Sequence, residues 1–250
     1  WEAGKPFLVS DNKASLVFES SSRQNTGSEL EGKIIRYKGT SLKVTPIGTE
    51  ELVIVFSDGA SDYRYVTGKS PDIAKSAITS LDIPMLIDLD LVKKTSDFLS
   101  GRKLWTRTKM WYTLDGEKLD GRQFVPVTVD EVQPGNMVFP LKVFITDENG
   151  RQALLFMNIK NSGIESRSFQ SLFYVSDPKL RYPSILPEIW EFIRDGKVKA
   201  GMTKEECKLA LGNPSDVNAG HDWNSTIEFW QYPDGKFLRF EDGLLIDSRN

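Results

Sequence analysis

The sequence predicts a mainly β chain ending in an α+β module: tandem small β-barrel or SH3-like units, then two helices and a three-stranded meander. Three observations predict it. Between Leu30 and Thr67, short alternating runs of apolar and polar residues are interrupted by turn signals about every 8–12 residues, the rhythm of a small sandwich or barrel. A similar β-rich text returns after Leu99. Near the C-terminal end the apolar spacing becomes helical twice, then alternates again across turns at Pro233-Asp234-Gly235 and Glu241-Asp242-Gly243.

Composition bounds the answer. The chain has 250 residues, a length that suits one to three domains, and is 39% hydrophobic and 11% aromatic, enough for a buried core and outside the disordered class. Its net charge is −3 with both signs interspersed, so a basic face is not expected and no nucleic acid partner is predicted. No apolar run is long enough for a helical membrane span. One cysteine leaves no internal disulfide, and one histidine excludes a multi-histidine metal site within the chain. No P-loop, dinucleotide fingerprint or zinc motif is present, so no cofactor is expected.

Taken in order, residues 1–70 form a first β-rich unit. Phe7-Leu8-Val9 and Leu16-Val17-Phe18 are short strands in polar surroundings, and 20–25 is loop. Residues 33–38, 41–45, 51–56 and 61–67 are four strands, with turns at Gly39-Thr40, Gly48-Thr49 and Asp58-Gly59. Residues 71–98 break the rhythm as a partly helical connector: a short helix over 72–80, an extended Ile83 to Leu89, then a second short helix or loop.

Residues 99–177 are a second β-rich unit. Leu99-Ser100-Gly101-Arg102-Lys103-Leu104 parallels Leu30-Glu31-Gly32-Lys33-Ile34-Ile35, and Leu141 to Asp147 parallels Leu52 to Asp58. The expectation is a degenerate internal repeat, its second copy carrying an insertion over 114–124 with two Asp-Gly turns. Residues 158–168 are a polar loop, 169–175 a last strand, and Asp177-Pro178 with Tyr182-Pro183 a stiff linker.

Residues 178–250 form the terminal module. Pro187 suits a helix N1 position; Ile189, Trp190, Phe192 and Ile193 give an apolar face, and Asp195-Gly196 ends the helix. Thr203 and Glu206 have the spacing of a capping box, flanked by Met202 and Cys207 as a hydrophobic staple. Cys207, Ala210 and Leu211 share a face; Gly212 can take the left-handed conformation that ends a helix, and Pro214 forbids resumption. Such a short helix needs packing to persist, so the strands 227–232, 236–240 and 244–246 are its expected partner. Within them, Trp230 and Tyr232 alternate with Phe229 and Gln231 between core and surface.

This module resembles the SmpA/OmlA family of bacterial outer-membrane lipoproteins, and is similar to one half of a β-lactamase inhibitor protein. The matching residues are Gly196-Lys197-Val198, Gly201 to Glu206, Leu211-Gly212-Asn213-Pro214, Trp230 and Tyr232, and Phe240-Glu241-Asp242-Gly243. They cover 187–246, about a quarter of the chain. The resemblance implies a non-enzymatic scaffold or binding module, exported and periplasmic or outer-membrane-associated. It also implies a leader with a lipid-modified cysteine ahead of Trp1. Cys207 stands where the family usually has an aliphatic residue, which fits a small buried side chain.

The candidate sites follow from residue type. A single strand over 103–113 would align Trp105, Arg107, Lys109 and Trp111 on one face, two indoles flanking two cations, a surface that stacks a sugar or grips a peptide. The plainer alternative is that the indoles pack on a neighbour while the basic stems snorkel. His221 and Trp223, in a Gly- and Asn-rich loop before the meander, are candidate contacts along the meander's exposed edges. No catalytic residues are assigned: Cys207 falls on the core face, and the pairs Asp88/Asp90 and Asp115/Asp120 lie in turn-like text. Asp147-Glu148-Asn149-Gly150 has calcium-loop composition but also that of an ordinary hairpin turn, and Asn224-Ser225-Thr226 is a common glycosylation tripeptide. The expected partner is an envelope protein; the alternative is a cell-wall glycan, and a carboxylate-based hydrolase ranks below both.

Overall fold

A computed structural model of the protein describes residues 1–20, 30–72, 83–158, 167–222 and 225–249. Residues 73–80 of the helix expected over 72–80, most of the 20–25 and 158–168 loops, Trp223 and Asn224 lie outside the described residues. The chain is mainly β, as expected, and its sheets are open. The small-barrel form of the two β-units is therefore corrected to open sheets. No helix among the described residues is long and apolar enough to cross a membrane.

The chain forms two compact units. The first comprises Trp1–Gly101, Asp130–Phe144 and Phe156–Ser168, the second Arg102–Val129, Ile145–Leu155 and Phe169–Asn250. The first carries β1 (Pro6–Val9), β2 (Phe18–Ser20), β3 (Ile34–Val44), β4 (Glu50–Ser57), β5 (Asp62–Val66) and β6 (Leu86–Asp88), followed by α1 (Leu89–Leu99). They make an antiparallel sheet in the order β2-β5-β4-β3-β1-β6. Phe7, Phe18, Ile35, Phe56 and Tyr63 fill its core.

Two local expectations change in this unit. Gly39-Thr40 is not a turn: β3 runs through it, and a register shift between Tyr37 and Gly39 absorbs the extra residue as a bulge. Leu16 belongs to a 3-10 turn, Asn12–Leu16, capped by Asp11, so strand structure begins only at Phe18. The pair Asp88/Asp90 is occupied locally. Lys5 Nζ reaches Asp88 at 2.9 Å and Asp90 at 3.1 Å, and the Asp88 carboxylate caps the first turn of α1.

The remaining strands before the C-terminal module are β7 (Lys103–Thr106), β8 (Met110–Tyr112), β9 (Lys118–Asp120), β10 (Pro126–Pro134), β11 (Leu141–Asp147), β12 (Gln152–Met157) and β13 (Phe173–Tyr174). Their sheet order is β13-β7-β10-β11-β12-β8-β9. In the proposed repeat, β3 and β4 correspond to β7 and β11. The first two are neighbours, whereas β10 separates the second two, so the resemblance in text does not carry into strand order. The Asp147 to Gly150 segment is a hairpin turn whose Asp147 Oδ1 accepts from the Asn149 and Arg151 N–H groups.

The C-terminal module is built as its local chemistry dictates. A short helix α2 (Phe169–Leu172) precedes β13; a 3-10 turn at Pro178–Arg181, capped by Asp177, then leads to α3 (Pro187–Asp195). Pro187 opens α3, and Gly196 at φ 63°, ψ 38° closes it. Helix α4 (Lys204–Leu211) has both halves of its capping box, with Thr203 accepting from the Glu206 N–H and Glu206 accepting from the Thr203 N–H. Gly212 sits at φ 85°, ψ −167°, an extended region open to glycine rather than the left-handed helical one anticipated.

The expected three-stranded meander has four strands: β14 (Asp216–Asp222), β15 (Ser225–Gln231), β16 (Phe237–Glu241) and β17 (Leu244–Arg249), paired antiparallel in that order. The stretch read as a loop around His221 is therefore a strand. It was missed because its residues are polar or small, with no apolar alternation to mark it. Trp230, Tyr232, Leu238, Phe240 and Leu245 face Trp190, Ile193, Met202, Cys207 and Ala210 in one core.

Phe124, from the insertion before β10, also belongs to that core. It stacks on Tyr174 at 5.7 Å and meets Trp190 edge-on at 5.8 Å. Beside it, Gln123 Nε2 donates to the carbonyls of Ile193, Leu209 and Ala210 at 2.8–2.9 Å, and its backbone N–H donates to Arg194 O. These carbonyls lie in the last turns of α3 and α4, where helices leave acceptors unpaired. Arg122 reaches Glu191 and Asp195 at 2.6 and 2.8 Å.

Gln123→Ala is expected to destabilise the protein by about 2 kcal/mol, because it strips donors from partly buried carbonyls that water replaces poorly. Urea unfolding monitored by tryptophan fluorescence measures it. Acid acts on the same region. The hydrogen bond from Arg122, and then the Arg194 and Arg122 charges, hold the Glu191 carboxyl below its ordinary value, against burial. A depressed folded-state value gives stability that is present above the ordinary carboxylate range and is lost as pH falls through the lowered value. Glu191→Gln should flatten the stability profile across that range while leaving a lower plateau at neutral pH.

Candidate functional site

The segment after β7 decides which of the sequence candidates come together. The single strand over 103–113 does not form. It breaks at 107–109, where the Arg107 N–H donates to Leu172 O and the Trp111 N–H turns back to Lys109 O. The expected row of Trp105, Arg107, Lys109 and Trp111 on one strand face is therefore corrected.

Trp111 is 1% exposed and lies in the core. Its Nε1 donates to Thr108 O, and its ring fills the space where a Cβ on Gly121 would come within 2.2 Å. A glycine is required there, and the indole has no face for a ligand. Lys109 lies against Gly196, where a Cβ would meet its Nζ at 2.6 Å. This places its ammonium at the C-terminal end of α3, the negative end of that helix. Trp223 lies outside the described residues, and His221 is a residue of β14.

Trp105 and Arg107 remain, and the fold supplies new neighbours for them. In register, Tyr174 of β13 and Pro126 of β10 stand opposite Trp105 on either side, so the three share one face. Trp105 and Tyr174 are half-buried. The Arg107 guanidinium lies 4.6 Å from the centre of the Tyr174 ring and donates to Gln170 O at 2.7 Å. Arg181, from the 3-10 turn, lies 5.9 Å from the same ring. Lys179 stands 6.0 Å from the Trp190 ring. Tyr174 is itself backed by Phe124, so each ring positions the next.

Both guanidinium groups are solvent-exposed, and neither has a carboxylate partner among the described residues. Two arginines gathered on one ring, with no counter-charge among the described residues, have the chemistry that would suit an anionic group. Trp105, opposite Tyr174 in register, is half-buried; Val175 and Leu180, the chain neighbours of Tyr174 and Arg181, are 72% and 77% accessible. Aromatic and arginine side chains together are what binding surfaces concentrate. Tyr174 and Arg181 were not among the sequence candidates. They lie about seventy residues further along the chain, and only strand pairing brings them to Trp105.

The residues considered for chemistry are engaged otherwise. Cys207 is fully buried, and burial pushes its thiol up to about 12, with the Glu206 charge adding to the effect. Asp88 and Asp90 serve Lys5 and the start of α1.

No protein-family model, curated protein or solved structure matches this chain.

The Cys207 thiol is expected to be inert in the folded protein. A thiol-specific chromogenic disulfide at neutral pH should leave it unmodified until denaturant is added, and then titrate one thiol per chain. Fast modification of the native protein would contradict the buried placement.

Proposed function

We propose that the protein is a non-enzymatic binding protein of the bacterial cell envelope, an exported lipoprotein ectodomain that engages another envelope protein. One observation carries the binding part of this reading: the Arg107 and Arg181 guanidinium groups on Tyr174, with no carboxylate partner among the described residues, and half-buried Trp105 opposite that ring in register. Arginine and aromatic anchors at the centre of a polar surface are what protein interfaces concentrate. The envelope part rests on the resemblance of 187–246 to the SmpA/OmlA module. The helix ends and buried aromatics that make up that resemblance are also the ones that build the core of this module.

A second reading, a carbohydrate- or peptidoglycan-binding module, draws support from Trp105 alone. A partly open indole beside two guanidinium groups suits an acidic sugar, stacking its ring and pairing its carboxylate. Trp111 no longer contributes to that reading.

An envelope pull-down with the wild-type chain and an Arg107→Ala/Arg181→Ala variant separates the cases. The protein-binding reading expects a partner whose recovery falls about tenfold in the variant. Equal recovery would remove this surface from the function. If instead peptidoglycan fragments quench tryptophan fluorescence, and Trp105→Ala abolishes the change, the glycan reading takes its place.

A further inference from the structure

We infer that the Tyr174 surface takes an acidic, extended segment of the partner protein, in which two carboxylates flank one apolar side chain. The inference rests on the binding-protein reading above and names what that surface would recognise.

Register sets the sheet face around Trp105. Trp105 stands between Tyr174 and Pro126, and Lys103 stands opposite Thr128. Residues two apart on a strand share a face, so Lys103, Trp105, Tyr174, Pro126 and Thr128 lie together. The alternate residues Leu104, Thr106, Val127 and Phe173 are buried on the other face. On the first face Lys103 and Thr128 are exposed, and Trp105, Tyr174 and Pro126 are half-buried.

Charge defines the occupant. Residues 98–114, which contain β7, hold Arg102, Lys103, Arg107 and Lys109 and no carboxylate, in a chain whose net charge is −3. Residues 173–182, which contain β13 and the 3-10 turn, add Lys179 and Arg181 against one carboxylate, Asp177. Asp177 is engaged as the cap of that turn, accepting the Lys179 N–H at 2.9 Å. Lys103, Arg107 and Arg181 have no carboxylate partner among the described residues. The next carboxylate along β10, Asp130, lies two residues beyond Thr128 and bounds the cationic patch there.

Geometry sets the spacing. Arg107 is held before any partner arrives: its guanidinium lies 4.6 Å from the centre of the Tyr174 ring and donates to Gln170 O at 2.7 Å. A guanidinium fixed in this way loses little freedom on meeting a carboxylate, and its remaining donors match the two oxygens. Lys103 and Arg107 are four residues apart, roughly 13 Å along an extended chain, with Trp105 midway. In an extended partner, side chains at i and i+4 point the same way and span the same length, with i+2 between them. Carboxylates at i and i+4 therefore face Lys103 and Arg107, while residue i+2 packs on Trp105. Arg181, 5.9 Å from the Tyr174 ring, adds a second guanidinium at the Arg107 end.

A sugar polymer fits less well. Stacking a sugar takes an open ring face. The Tyr174 ring already has Phe124 stacked at 5.7 Å and two guanidinium groups around it, which leaves stacking to Trp105.

The test uses the full chain and three seven-residue threonine peptides with a central phenylalanine. They carry glutamate, glutamine or lysine two residues to either side of it. The glutamate peptide should bind about tenfold more tightly than the glutamine peptide, and more weakly as salt rises. Lys103→Glu/Arg181→Glu changes two exposed cations that have no ion pair among the described residues. This variant should keep its melting temperature, lose the glutamate peptide about tenfold and gain the lysine peptide. Equal affinity for the glutamate and glutamine peptides, or no exchange of preference in the variant, would overturn the inference. So would binding of a galacturonic acid oligomer without binding of the glutamate peptide, which would give the surface to an acidic glycan. If no peptide binds while Arg107→Ala/Arg181→Ala still loses its envelope partner, the binding-protein reading stands and the acidic segment is removed. If that variant also keeps its partner, both fall.

Discussion

One side-chain amide holds the ends of two helices. Gln123 Nε2 lies within 2.9 Å of the carbonyls of Ile193, Leu209 and Ala210. A helix end surrounded by protein must find donors for its last carbonyls, because water does not reach them freely. α3 and α4 are each too short to persist alone. Their packing against the sheet supplies the apolar part of their stability, and Gln123 supplies part of the polar remainder. A segment remote in sequence thus becomes part of the C-terminal module.

The same segment carries backbone strain. Phe124 has φ 57°, a left-handed conformation that a bulky residue avoids. Thr106 holds it there. Buried itself, it accepts the Phe124 N–H at its carbonyl, donates its own N–H to Val125 O, and donates its hydroxyl to Arg122 O. The ring, once turned, enters the core between Tyr174 and Trp190. The surface proposed for binding adjoins this segment: Arg107 is the residue after Thr106, and Tyr174 is the ring that Phe124 stacks on.

The C-terminal sheet shows a second constraint, the need to satisfy or shield strand edges. The residues that lead into α4 cover the start of β17, Leu244 and Leu245, so the capping box and that part of the sheet edge are secured by one short stretch, Gly201 to Thr203. At the opposite edge, no further strand pairs with β14 among the described residues.

What the sequence determined by itself is whatever depends on near neighbours. The capping box of α4, the Pro187 start and Gly196 end of α3, the Asp58 and Asp147 turns, and the alternation that buries Trp230 and Tyr232 all follow from residues a few positions apart. Trp105 and Arg107 were legible as residue types suited to binding. Only the tertiary structure decided what surrounds them. The strand expected through Trp111 breaks because Leu172 takes the Arg107 N–H, and β14 exists because β15 pairs with it despite its polar text. Gly39 became a bulge rather than a turn because β4 pairs along β3 on both sides of it, from Arg36 to Val44. Tyr174 and Arg181 join Trp105 through the pairing of β13 with β7, and Gln123 matters only where two helix ends meet. Propensity and periodicity describe a segment's own preferences. Partners distant in sequence are set by which backbone groups and apolar faces must be satisfied together, and no local pattern encodes that.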